Sequence, residues 1–103
     1  MVMLTFIRSN RFINWIDGLS DDIAKARILN RLANAKLGHF GDCEPVGEGV
    51  SEMRIHAGAG YRVYFMRTGS VVYVLLCGGS KSTQKRYIAT AKKLARELKK
   101  DAK

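Results

Sequence analysis

Residues 51–77 read SEMRIHAGAGYRVYFMRTGSVVYVLLC, and this stretch decides the fold. From Ser51 to His56 the side chains alternate. Met53 and Ile55 lie on one side and Glu52, Arg54 and His56 on the other, the period-two pattern of a half-buried strand. Gly58-Ala59-Gly60 supplies a turn. Tyr61 to Arg67 alternates again, with Tyr61, Val63 and Phe65 opposite Arg62, Tyr64 and Met66. After Thr68-Gly69-Ser70, the run Val71–Cys77 is apolar without a break, which fits a central strand covered on both faces. Gly78-Gly79 is expected to end it. Three strands joined by short turns predict an antiparallel meander.

On the C-terminal side, Ser82 or Thr83 is expected to cap a last helix reaching about Lys100, with Ile88, Ala91, Leu94, Ala95 and Leu98 as its apolar stripe. On the N-terminal side, Met3 to Arg8 reads as a short strand. Ser9 or Asn10 then caps a helix that puts Phe12, Trp15, Ile16 and Leu19 on one face, and Gly18 interrupts it. Ser20-Asp21-Asp22 looks like a second start, a hydroxyl cap followed by carboxylates at the positive end of the helix dipole. Ile28, Leu32 and Ala35 continue that helix to a stop at Gly38. Residues 9–37 thus form an αα-hairpin. The segment GHFGDCEPVGEGV, residues 38–50, holds four glycines and the single proline, and reads as a structural connection. It carries no phosphate-binding glycine motif. The expected class is α+β, an N-terminal αα-hairpin packed on an antiparallel sheet with a C-terminal helix.

The 103 residues fit one domain, 1–103. The seven-residue apolar run at 71–77 is far too short to span a membrane. No export signal marks MVMLTFIRSNRF, so a soluble cytoplasmic protein is expected. Cys43 and Cys77 are too few for a disulfide framework, and His39 and His56 have no ligand cluster, so no metal site is expected. The formal charge is +9. Residues 1–50 balance six basic against six acidic residues, while residues 51–103 hold twelve basic residues against Glu52, Glu97 and Asp101. The whole excess therefore sits in the second half, which points to a polyanion or an acidic partner.

Arg54, His56 and Arg62 fall opposite the apolar sets of their strands and can line one patch of the sheet, with Lys81 past the last strand and Tyr87 further on. Of the carboxylates, only Glu52 is near this set in sequence. Such a cluster suits metal-free RNA cleavage by in-line attack of a 2′-hydroxyl, which needs cations for the phosphorane, a proton acceptor and an acid for the leaving oxygen. Arg holds phosphate oxygens bidentately, His56 serves proton transfer, and Tyr87 hydrogen-bonds, stacks or assists. Taken residue by residue, the plainer readings carry more weight: ordinary sheet surface for Arg54 and Arg62, a polar strand residue for His56, a packing residue for Tyr87, and a solvated face with a basic tail for Lys92 to Lys103.

Three stretches, FINWIDGLSDDIAKARILNRLANAKLGHFGD, PVGEGVSEMRIHAGAGYRVYF and VYVLLCGGSKSTQKRYIATAKKL, together cover about residues 12–94. They resemble the RelE/ParE superfamily of type II toxins, in particular its HigB-like, phage-related addiction-module killer branch. The resemblance implies the same fold and a metal- and cofactor-independent, ribosome-dependent mRNA endoribonuclease that arrests translation. By position it makes Arg62, His56 and Tyr87 catalytic, and Arg54, Lys81, Lys85 and Arg86 RNA-binding. His56 stands where the family more often has Lys or Arg. The turn Ala57-Gly58-Ala59-Gly60 is one residue longer than in many relatives, which leaves the strand register open. The implied partners are mRNA and the ribosome, and a cognate helix-turn-helix antitoxin through whose complex operator DNA is bound. The superfamily also holds gyrase poisons of the ParE type that are not nucleases. That activity, or a degenerate antitoxin-binding member, is the alternative.

Overall fold

In the computed structural model, which describes residues 3–101, Ser9 ends the first strand and starts the first helix. The elements are β1 (Thr5–Arg8), α1 (Asn10–Asp17), α2 (Asp22–Lys36), β2 (Cys43–Gly47), β3 (Val50–Ile55), β4 (Tyr61–Arg67), β5 (Val72–Ser80), a 3-10 turn (Lys81–Thr83) and α3 (Gln84–Asp101). The Ser9 hydroxyl accepts from the Phe12 N–H at 3.0 Å, and Gly18 closes α1. At α2 the cap is the Asp21 carboxylate, which accepts from the Ala24 N–H at 3.0 Å, not the Ser20 hydroxyl. Gly38, at φ +92°, follows its last turn.

Strand order is β1-β5-β4-β3-β2. β3, β4 and β5 form the expected antiparallel meander, and β1 joins β5 in parallel, a pairing that alternation does not specify. Residues 38–50 are not merely a connection. They include β2, an antiparallel edge strand whose Pro45 is tolerated because among the described residues no strand pairs with its outer side. Glu48 and Gly49, both at positive φ, turn the chain from β2 into β3. Arg96 of α3 grips the Glu48 carboxylate at 2.6 and 2.9 Å.

Each face of the sheet buries its own core. On one, Phe12, Ile16, Ile28, Leu32 and Ala35 of α1 and α2 meet Met53, Ile55, Val63, Phe65 and Leu75. On the other, Ala91 and Ala95 of α3 pack on Val50, Tyr64, Met66, Leu76 and Cys77. β5 also runs on through Gly78 and Gly79 to Ser80, where the sequence suggested an end. The two glycines are there for ring packing. A Cβ on Gly78 would run into the ring of Trp15 on one face, and a Cβ on Gly79 would lie 2.6 Å from Tyr87 Cδ2 on the other. Ser80, rather than Ser82 or Thr83, caps the turn into α3, its N–H donating to Thr83 Oγ1 at 3.1 Å. Among the described residues no helix is long and apolar enough to cross a membrane.

Candidate active site

The register left open by the sequence is now defined: Arg54 pairs with Arg62, and Arg62 with Gly79. Residues paired across strands project from the same face. Arg54 and Arg62 therefore both lie on the α3 side, and the Tyr87 ring occupies the space that Gly79 leaves empty next to Arg62. Arg62 is buried, its side chain only 9% exposed. Its Nε lies 3.9 Å from Glu52 Oε1 and has no hydrogen-bond partner among the described residues.

Glu52 is the anchor below this row. Its carboxylate is fully buried. It accepts hydrogen bonds from the Tyr64 hydroxyl at 2.9 Å, from Gln84 Nε2 at 2.8 and 3.1 Å, and from Arg54 Nε at 3.1 Å. Burial pushes its pKa up, but the bonds from Gln84, Tyr64 and Arg54 and the charge of Arg62 outweigh this and hold it below the ordinary carboxylate value. Burial and the Glu52 bond push the Tyr64 hydroxyl far up, so it stays a donor.

Asp42 and Glu44, brought in by the edge strand, add charges that proximity in sequence did not reveal. Glu44 Oε2 lies 2.8 Å from Arg54 Nη2, and Asp42 Oδ1 4.0 Å from Arg54 Nη1. Arg54 is thus held by three carboxylates, an internal ion-pair centre more than a free cation. Asp42 Oδ2 lies 2.7 Å from His56 Nε2. That hydrogen bond is the main cause that holds the Asp42 carboxyl below its ordinary value, helped against desolvation by the charges of Arg54, His56 and Arg31. Asp42 directly precedes β2 and Glu44 is its second residue, so their spacing of two was the available signal for carboxylates on one side of an extended segment.

His56, the turn from Ala57 to Gly60, Arg62 and Lys81 line one open groove of about 420 Å³. The Lys81 N–H donates to the Gly60 carbonyl at 2.8 Å, which ties the end of β5 to this turn. Three of the residues singled out from sequence, His56, Arg62 and Lys81, therefore meet in one cationic groove. Tyr87 is half-buried beside it, its hydroxyl accepting from Arg86 Nη2 at 3.2 Å while the Arg86 guanidinium lies 4.9 Å from the ring centroid. Lys85 and Arg86 are exposed on the first turn of α3 and do not line the groove. A second open groove, lined by Arg27, Asn30, Arg31 and Ile55, continues from the other side of His56.

The family model described as phage derived protein Gp49-like (DUF891) matches residues 14–100. The chain belongs to this family. A Haemophilus influenzae protein, described as uncharacterized, is 46% identical over 87 residues that span 84% of this chain and 88% of its own. Among solved structures, an alanine double mutant of the Escherichia coli toxin RelE in the free state shares the fold. Its TM-score is 0.69 at 13% identity, covering 88% of this chain and 97% of that one. The Gp49-like family and the RelE fold bear out the RelE/ParE resemblance and the α+β architecture, and together support a toxin of a toxin–antitoxin module.

Proposed function

We propose that this toxin is an mRNA endoribonuclease acting at the ribosome, with the scissile phosphodiester in the groove of His56, Arg62 and Lys81. The observation that carries this reading is Arg62. It is a buried guanidinium whose Nε has no hydrogen-bond partner among the described residues, sharing one carboxylate with Arg54 and lining an open cationic groove. A guanidinium so held is preorganised for phosphate oxygens and pays little reorganisation when phosphorane charge develops. His56 takes the 2′-hydroxyl proton as the 2′-oxygen attacks phosphorus. The P–O5′ bond breaks, and the leaving oxygen takes a proton from water. Lys81 adds charge beside the phosphate, and Tyr87 stacks on a neighbouring base. Arg54 acts through Glu52 in shaping the groove, while Lys85 and Arg86 contact RNA outside it.

The cognate partner in this reading is a helix-turn-helix antitoxin, an acidic segment of which meets the basic second half, and operator DNA is reached only through that complex. Mapping RNA ends after incubation with translating ribosomes tests the chemistry. The expected ends are a 2′,3′-cyclic phosphate and a 5′-hydroxyl. Intact mRNA together with double-strand DNA breaks would instead assign gyrase as the target.

A further inference from the structure

Besides its long contact with Arg54, Asp42 has no part in the proposed chemistry so far, although its carboxylate lies 2.7 Å from His56 Nε2. Both ends of this contact are held in place. The Asp42 carbonyl accepts from the Arg54 N–H at 2.9 Å and from Arg31 Nη2 at 3.3 Å, so β3 and α2 both hold its backbone. The His56 carbonyl accepts from Arg27 Nη1 at 3.4 Å. Arg27 and Arg31 of α2, Arg54, Arg62 and Lys81 are the cations around the pair, and Asp42 is the one carboxylate bonded to the imidazole among the described residues.

We propose that Asp42 is a positioning residue for His56, its carboxylate accepting a hydrogen bond from Nε2–H and so presenting Nδ1 as the base for the 2′-hydroxyl. The inference rests on the nuclease reading. A neutral imidazole carries one proton, and a carboxylate on one nitrogen places that proton there and leaves the lone pair on the other. As the 2′-oxygen bonds phosphorus, its proton passes to Nδ1. The imidazolium that forms then has the Asp42 anion at Nε2.

Asp42 is 43% exposed at its side chain, so Asp42→Asn is expected to fold. The test compares cleavage of a reporter mRNA on purified translating ribosomes by wild type, Asp42→Asn, His56→Gln and the double variant. Asp42→Asn is expected to lower kcat about tenfold or more with KM unchanged, a share of the usual general-base contribution. In the His56→Gln background it is expected to cost nothing further. Nitrogen-15 spectra provide a readout independent of RNA, because His39 and His56 are the only two histidines. The His56 ring is expected to be protonated at Nε2 in the wild type and to lose that preference in Asp42→Asn. Wild-type cutting with losses that simply multiply in the double variant, or a His56 ring protonated at Nδ1, overturns the proposal alone. A wild type that cuts no RNA overturns it together with the nuclease reading.

Discussion

The buried carboxylate of Glu52 lies 3.1 Å from Arg54 Nε and 3.9 Å from Arg62 Nε, one anion held between two guanidiniums on neighbouring strands. Tyr64 and Gln84 complete its shell. Because a buried charge stripped of partners is costly, this centre fixes where both arginines sit. Tyr64→Phe removes one hydrogen bond to the anion and is expected to lower the unfolding free energy by about 1.5–3 kcal/mol in urea titrations. No loss would contradict the anchor.

Acid should undo the same centre. The Glu52 pKa is held below its ordinary value in the folded chain, so its ionised form stabilises above that value, and the contribution is lost as pH falls through the native value. Urea midpoints measured from pH 7 down to pH 3 should drop more steeply for wild type than for Glu52→Gln. Parallel curves would contradict this.

The paired glycines of β5 give a test specific to each face. Trp15 is the single tryptophan and packs on Gly78, so Gly78→Ala should shift its fluorescence, whereas Gly79→Ala should leave it unchanged and displace Tyr87. Each crowded Cβ is expected to cost about 1–3 kcal/mol. An unchanged Trp15 spectrum in Gly78→Ala would contradict the packing.

The cysteines should differ in reactivity. Burial pushes the Cys77 thiol up to about 11, and the thiolate is the reactive form. At pH 8 Cys77 should resist a thiol reagent until the chain unfolds, with any native labelling confined to half-buried Cys43. Mass mapping of the labelled peptides decides.

Much of this was legible in the sequence because its causes are local. Alternation in 51–67 placed Arg54 and Arg62 on one face, and Ser9 and the spacing of Phe12 and Ile16 placed the first helix. What was not legible depends on distant segments meeting. The glycine-rich composition of 38–50 concealed the edge strand that delivers Asp42 and Glu44 to Arg54 and His56. Gly78 and Gly79 read as a stop because their packing partners, Trp15 and Tyr87, lie on other elements. The parallel pairing of β1 with β5 likewise has no signature in either strand.

In the proposed reaction Arg62 carries the phosphodiester chemistry. Arg62→Ala should fold, because Glu52 keeps Arg54, Gln84 and Tyr64 as partners. The direct measurement is primer extension on a reporter mRNA in a purified translation system, with and without ribosomes, using wild type and Arg62→Ala whose folding is confirmed by circular dichroism. The expected cuts require ribosomes and fall about 10²-fold or more in the variant, the scale for losing one preorganised charge donor. A folded Arg62→Ala protein that cuts as fast as wild type would contradict it.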